Sequence, residues 1–213
     1  MTEETSLRDQ IARIGESLFD RGLTAGSSGN ISARLADGGW LMTPTNVSLG
    51  TLDPARLSHF DARGRHIGGD APTKEAFLHF SMYEERASAG AVVHLHSSHA
   101  TAVSILRDVD PADVMPALTA YYIMRVGRLP LVPYFAPGDP DLANAVKALA
   151  GNHHAVLLAN HGPVVAGRSI IDAQYAIEEL EEAAKLFLIL QNHALRTLNT
   201  EQVNDLRLRF NLS

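Results

Sequence analysis

The sequence predicts an α/β protein built around a mostly antiparallel sheet, and two observations support this fold class. Short apolar runs typical of buried strands alternate with longer stretches in which apolar residues recur at helical spacing. Several of the short runs are joined by tight turns, and such hairpins connect antiparallel strands. The chain has 213 residues, of which 46% are hydrophobic. We therefore expect residues 1–213 to form one domain with a sizeable core.

The predicted helices begin at residues that commonly cap helices and continue with apolar side chains three or four positions apart. Asp139 is a strong start, because Pro140 follows it at the first helical position. The other predicted N-caps are Ser6, Thr73, Ser98, Ser169 and Thr200. The corresponding helices are expected at about 6–22, 73–86, 98–106, 139–150, from 169 past 188, and after 200.

The predicted strands are three or four residues long, and most are rich in apolar side chains. Two of them flank the turn Asp61–Gly64 and predict a hairpin. In chain order they are Trp40–Met42, Leu57–Phe60, Arg65–Ile67, Ala91–Val93, Leu131–Pro133, Ala155–Leu158 and Val164–Ala166.

Charge and composition exclude several classes of function. The net charge of −6 argues against a nucleic-acid-binding surface, and no cysteine is present to form disulfides or thiolate ligands. The N-terminal segment lacks the apolar core of a signal peptide, and the apolar runs are shorter than the ~20 residues of a membrane span. We therefore expect a cytoplasmic protein with neither nucleic acid nor membrane as a partner.

A His-x-His pair follows the predicted buried strand at Ala91–Val93. Side chains two positions apart on a strand share a face, so His94 and His96 point to one place while Leu95 faces the core. Two converging imidazoles are half of a metal site, and a catalytic zinc takes three protein ligands with one position open.

His161 is the best third ligand in the sequence. It lies in the turn Asn160–Pro163 at the end of another apolar strand, where a side chain can project into a cleft. His99 is a weaker candidate, because it does not share the face of His94 and His96. Three neutral imidazoles would leave a divalent ion its full charge, which suits a Lewis acid.

Two polar turns and one carboxylate are further candidates for the site. Small residues in Thr24–Ser32 let the backbone approach a ligand, and their N–H and side-chain groups can donate to phosphate oxygens. Thr43–Asn46 is a second polar turn. Glu75, in the predicted first turn of a helix, either complements the helix dipole or supplies a carboxylate beside the metal.

The chain resembles the class II aldolase superfamily, which includes fuculose-phosphate aldolases and ribulose-phosphate 4-epimerases. The resemblance extends from Leu18 to about Leu190. Within the superfamily, the match looks closest to the branch of 3-oxo-tetronate 4-phosphate decarboxylases, because of Thr45-Asn46, Lys74 and residues 125–128. The motifs that carry the superfamily resemblance are Gly29-Asn30-Ile31-Ser32, Thr43-Pro44-Thr45, Pro72-Thr73-Lys74-Glu75, His94-Leu95-His96 and Asn160-His161-Gly162.

The resemblance implies an α/β/α layered domain that assembles as a homotetramer with active sites between subunits. It also implies one zinc ion per subunit, with Mn²⁺ or Co²⁺ as possible replacements. Glu75 would be the catalytic acid/base, and Tyr121, with Tyr122 as a competitor, would reach a neighbouring subunit. The implied metal ligands are His94, His96 and His161, and the implied phosphate site comprises Ser27, Gly29, Asn30, Thr45, Asn46 and Thr73.

The resemblance implies cleavage of a carbon–carbon bond through a metal-stabilised enediolate. The expected substrate is a small phosphorylated sugar acid, 3-oxo-tetronate 4-phosphate, which would lose CO₂ to give a triose phosphate such as dihydroxyacetone phosphate. Lys74 stands where the aldolases usually carry a second Ser, and Lys74 with Arg125 would match the additional carboxylate. The alternatives are an aldolase acting on a ketose phosphate, a dehydratase acting on a thioribulose phosphate and, from another class, a non-catalytic assembly domain as in adducin.

Overall fold

The computed structural model describes residues 2–136, 139–210 and 212. The strands are β1 (Asn30–Arg34), β2 (Trp40–Met42), β3 (Ser58–Phe60), β4 (His66–Gly68), β5 (Ala91–His94), β6 (Leu131–Val132), β7 (Ala155–Leu158) and β8 (Gly162–Gly167). The helices are α1 (Glu3–Asp20), α2 (Ala76–Glu85), α3 (Ser98–Ile105), α4 (Ala120–Arg125), α5 (Pro140–Ala150), α6 (Ile170–Ile189) and α7 (Thr200–Phe210).

The eight strands form one sheet in the order β4-β3-β2-β1-β5-β8-β7-β6. Every neighbouring pair is antiparallel except β6 and β7, which are parallel. The prediction of a mostly antiparallel sheet is therefore confirmed. The central strand β5 is buried along its whole length and pairs with β1 on one side and β8 on the other.

Helices cover both faces of the sheet. Successive side chains of a strand point to opposite faces, so an apolar strand has two faces to bury. On β5, Ala91 and Val93 join a core that contains residues of α1, α3, α4 and α6. Val92 joins a second core with residues of α2 and α5. This arrangement confirms the α/β/α layers, and it places His94, which alternates with Val93, on the same face as Val92.

The caps of α5 and α6 agree with the sequence. The Asp139 side chain accepts from the backbone N–H of Asp141, and the Ser169 hydroxyl accepts from that of Asp172. The predicted start of α1 is wrong, because Thr2 rather than Ser6 caps it. The Thr2 hydroxyl accepts from the Thr5 N–H, and the helix therefore begins at Glu3.

The predicted N-cap of α2 is also wrong. The helix begins at Ala76 rather than directly after Thr73, because the residues before it are tied to the turn after β2. Pro72 forms a β-bridge with Pro44, and the Thr73 N–H donates to the Thr43 carbonyl over 3.3 Å. Glu75 therefore lies at the helix N-cap instead of inside the first turn.

Two smaller differences concern the ends of elements. Ser97 rather than Ser98 is the N-cap of α3, and β5 ends at His94, so His96 lies just beyond the strand. Helix α4, which the periodicity of the sequence did not predict, is only six residues long. Among the described residues, no helix has both the length and the apolar character that crossing a bilayer requires.

Candidate metal centre

Four side chains that are distant in sequence meet at the end of β5. They are Glu75, His94, His96 and His161, and one potential ligand atom of each lies within 4.8 Å of the others. The Nε2 atom of His96 is 3.1 Å from that of His94 and 3.0 Å from that of His161. The two Glu75 carboxylate oxygens lie 3.1 Å from His161 Nε2 and 3.5 Å from His94 Nε2.

Strand pairing brings His161 to the other two histidines. It occupies the turn between β7 and β8, and Asn160 before it has a φ of 56°, a left-handed conformation that asparagine tolerates well. Strand β8 then pairs antiparallel with β5. Close approach is possible because Gly162 has no side chain: a Cβ there would lie 2.2 Å from the Leu95 carbonyl oxygen.

The three imidazoles bring their Nε2 atoms to a common point. His94 Nδ1 lies 2.8 Å from the Pro163 carbonyl oxygen. Because a carbonyl oxygen can only accept a hydrogen bond, Nδ1 carries the proton and Nε2 has a free lone pair. Nε2 atoms about 3 Å apart repel one another unless a proton or a cation lies between them. A tetrahedral zinc with bonds of about 2.0–2.1 Å separates its ligand nitrogens by similar distances. The residues present therefore fit a divalent metal ion.

Burial keeps His94 and His96 in the form that binds metal. Burial is the main reason that the pKa of His94 is lowered to about 3 and that the pKa of His96 is lowered as well. Burial alone would raise the pKa of Glu75, but the hydrogen bonds with His161 and from Asn30 outweigh it. The pKa of Glu75 is therefore well below its usual value, and the side chain is a carboxylate at neutral pH.

Three of the predicted phosphate-site residues lie around this cluster. Asn30, the first residue of β1, donates from Nδ2 to Glu75 over 2.8 Å and to the Thr73 hydroxyl over 3.3 Å. Gly29 has a φ of 80°, and a Cβ there would lie 3.1 Å from the His94 carbonyl oxygen. The turn before β1 and the segment before α2 therefore both adjoin the end of β5.

The remaining predicted phosphate-site residues lie on the same loops. The Thr45 N–H donates to the Ala71 carbonyl over 2.9 Å, which joins the turn after β2 to the segment before α2. Ser27, Asn46 and Lys74 are exposed on these loops. Their side chains are free to turn toward a ligand.

The structure does not bring Tyr121 and Arg125 to the cluster. Both are on α4, which packs against α6 and α7. Arg125 lies 3.9 Å from Asp172 and stacks on Tyr175, with its guanidinium carbon 5.5 Å from the ring centroid. Tyr121 is 64% exposed, whereas the competing Tyr122 is 1% exposed. A tyrosine that reaches a second chain must be exposed, which favours Tyr121.

Two further histidines have clear structural surroundings. His99 Nδ1 lies 2.7 Å from Glu181, on the surface of α3, so this weaker ligand candidate has a different partner. His79 is fully buried beside Asn30 and Ser32. A signal was present, because Glu75, His79 and Tyr83 recur every four residues and therefore lie on one side of α2.

The model of the class II aldolase and adducin N-terminal domain family matches residues 9–188. The chain belongs to this family. A curated relative, the 3-oxo-tetronate 4-phosphate decarboxylase of Escherichia coli (strain K12), is 47% identical over 204 residues, which are 96% of each protein. The L-fuculose phosphate aldolase of the same organism is 34% identical over 188 residues, 87% of this chain and 84% of the aldolase.

A solved structure supports the same assignment for this class II aldolase family member. YgbL from Escherichia coli superimposes with a TM-score of 0.95 at 45% sequence identity, covering 97% of this chain and all of that one. The family and the cluster of three histidines with one carboxylate together indicate a site for a divalent metal ion.

Proposed function

We propose that the protein is a zinc-dependent lyase that decarboxylates 3-oxo-tetronate 4-phosphate to dihydroxyacetone phosphate and CO₂. The observation that carries the proposal is the convergence of three imidazole nitrogens and one carboxylate at the end of β5. The similarity to a decarboxylase of that name, at 47% identity over 96% of both chains, supports the choice of reaction.

In this proposal His94, His96 and His161 hold the metal through their Nε2 atoms. A divalent ion supplies Lewis-acid stabilisation of the negative charge that develops on the substrate oxygens. Zinc is proposed because a site with three imidazoles is typical of catalytic zinc, and Mn²⁺ or Co²⁺ would also accept imidazole ligands.

Glu75 is proposed to transfer the proton that the carbon needs after CO₂ leaves. When CO₂ leaves, the carbon–carbon bond breaks, its electron pair moves toward the neighbouring ketone oxygen, and the carbon that lost CO₂ needs a proton. Because its pKa is low, Glu75 is a carboxylate at the start and must first take up a proton. The substrate hydroxyl is the proposed source. Glu75 then delivers that proton to the carbon, and a proton from water restores the hydroxyl of the product.

The loops around the cluster are proposed to bind the phosphate. Their backbone N–H groups and hydroxyl or amide side chains can donate hydrogen bonds to phosphate oxygens. Lys74, exposed on the same loops, would add a positive charge. The proposed phosphate ligands are Ser27, Gly29, Asn30, Thr45, Asn46 and Thr73.

We further propose that residues 1–213 form one domain and that four copies assemble with active sites between subunits. Tyr121 and Arg125 contact α6 rather than the cluster of their own chain. In an assembly they would act on a neighbouring site, Arg125 as the partner of the substrate carboxylate and Tyr121 as a catalytic hydroxyl.

The test is to incubate the zinc-loaded protein with 3-oxo-tetronate 4-phosphate and to measure CO₂ and dihydroxyacetone phosphate together. We expect one CO₂ for each triose phosphate. Fuculose 1-phosphate is the comparison substrate, because a relative at 34% identity is an aldolase for L-fuculose phosphate. Cleavage of fuculose 1-phosphate without release of CO₂ from the acid would contradict the proposal and identify an aldolase.

A further inference from the structure

A chain of buried hydrogen bonds leads from the core to Glu75. The Tyr83 hydroxyl lies 2.8 Å from the Ser32 hydroxyl, which lies 2.7 Å from His79 Nδ1. His79 Nε2 contacts the side-chain oxygen of Asn30, and Asn30 Nδ2 contacts Glu75 over 2.8 Å. Ser32 and His79 are 0% exposed.

Two elements build this chain by their own periodicity. Asn30 and Ser32 alternate on β1 and therefore share a face. His79 and Tyr83 are four residues apart on α2, so they lie on the same side of that helix. The face of β1 thus meets one side of α2, and Glu75, just before α2, lies at the end nearest the histidine cluster.

The ionised state of Glu75 decides which group donates and which accepts in each hydrogen bond of this chain. An ionised carboxylate only accepts hydrogen bonds, so Asn30 must turn its NH₂ group toward Glu75 and its oxygen toward His79. His79 Nε2 must then donate, which leaves Nδ1 of the neutral ring as an acceptor for the Ser32 hydroxyl. Ser32 in turn accepts from Tyr83.

Burial supports the neutral state that this direction requires. Burial lowers the pKa of His79 to about 4, although the nearby charge of Glu75 opposes the shift. Burial also raises the pKa of Tyr83 well above its usual value, so its hydroxyl keeps the proton that it donates.

We infer that His79 is a positioning residue for the reaction: as the Nε2–H tautomer it fixes the Asn30 amide, which holds the Glu75 carboxylate in its working orientation. Ser32 and Tyr83 act in the same way, one and two bonds further from the cluster. This inference rests on the proposed role of Glu75 as the group that moves the proton.

The first measurement is the tautomer of His79 in the zinc-loaded protein, read from long-range ¹H–¹⁵N correlations of histidine-labelled material. His79→Gln identifies the signal. We expect the Nε2–H tautomer both in wild type and in Ser32→Ala, because the Asn30 oxygen still accepts from Nε2 in that variant. An Nδ1–H tautomer in wild type would overturn the inference.

The second measurement is kcat and KM for Ser32→Ala and Tyr83→Phe, each with its zinc content. The matched control is Ser81→Ala, because Ser81 is also a buried serine, and its hydroxyl donates to the Phe77 carbonyl of its own helix rather than to His79. We expect kcat to fall by about 10- to 100-fold in Ser32→Ala, since misplacing a catalytic group is costly. We expect a smaller fall in Tyr83→Phe, unchanged zinc content in both, and a control within about twofold of wild type.

Equal kcat values for Ser32→Ala and Ser81→Ala would overturn the positioning role even if the tautomer is as expected. The assay uses whichever substrate, the oxo acid or fuculose 1-phosphate, the wild-type protein cleaves. A wild type that cleaves neither would contradict the proposed function, whereas the tautomer would still decide the direction of the hydrogen bonds.

Discussion

His96 and His161 are 65 residues apart in the chain, yet their Nε2 atoms lie 3.0 Å apart. Lone pairs do not approach so closely without something positive between them. The same point receives a third imidazole, from His94, and the Glu75 carboxylate. At the residue scale, the chemistry of the protein depends on this one place.

Replacing Glu75 separates metal binding from proton transfer. We expect Glu75→Gln to keep its zinc, because the three imidazoles remain, and to lose activity by about 10²- to 10⁴-fold, the usual contribution of a general acid or base. Glu84→Gln is the matched control, since Glu84 is an exposed carboxylate on α2 that pairs with Lys147. Zinc content by elemental analysis and kcat with the cleaved substrate are the two measurements. Full activity in Glu75→Gln would exclude Glu75 as the proton carrier.

The buried His79 should make stability depend on pH. Its pKa is about 4 in the folded chain against the usual 6.5, mainly because of burial. Between these values the unfolded chain binds a proton that the folded chain does not. The free energy of unfolding should therefore fall by up to about 3 kcal/mol as the pH drops from about 6.5 to about 4.

The measurement is urea unfolding at several pH values for wild type, His79→Gln and the control His99→Gln. The pH dependence between about 6.5 and 4 should weaken in His79→Gln and stay in His99→Gln, because His99 lies on the surface beside Glu181. Identical slopes in all three proteins would show that His79 is not a buried neutral base.

At the scale of elements, local signals predicted much of the fold. The caps Asp139 and Ser169 mark the starts of α5 and α6, because each side chain bonds a backbone N–H only two or three residues away. The start of α2 was not predictable in this way. Its position depends on a bridge between Pro72 and Pro44, which are far apart in sequence.

The residues of the site also differ in whether local sequence could predict them. His94 and His96 were predictable from the alternation of side chains on a strand, and the glycine after His161 suggested a turn that projects a side chain. The importance of His79 was not recognised, because its partners come from another element. Only the packing of α2 against β1 brings His79 beside Asn30 and Ser32.

Replacing Gly162 tests whether the contact between β5 and β8 holds the cluster together. A Cβ at this position would lie 2.2 Å from the Leu95 carbonyl oxygen, so Gly162→Ala must push the two segments apart. We expect a loss of about 1–3 kcal/mol in the free energy of unfolding, together with weaker zinc binding. Zinc titration and urea unfolding measure the two effects.

Gly68→Ala is the matched control for this experiment. Gly68 is also a strand residue, but the nearest atom to its Cβ position is 3.9 Å away, an ordinary contact. We expect it to bind zinc as wild type does. If Gly162→Ala behaved like Gly68→Ala, the close approach would have no role in the site.

At the scale of the whole molecule, α4 and α6 present exposed aromatic side chains that the chain itself does not cover. Tyr121 is 64% exposed and Tyr175 is 47% exposed. For the proposed tetramer, we expect light scattering to give about four times the mass of the 23.0 kDa chain. A monomer that retains full activity would contradict a site shared between subunits.

One diffraction experiment decides whether the histidine cluster holds the metal. Crystals of the zinc-loaded protein, measured on both sides of the zinc absorption edge, locate the ion without reference to activity. We expect one anomalous peak per chain, about 2.0–2.1 Å from the Nε2 atoms of His94, His96 and His161. A protein that binds one zinc per chain with its peak anywhere else, or with His161 turned away from the ion, would contradict the site on which the proposed lyase activity depends.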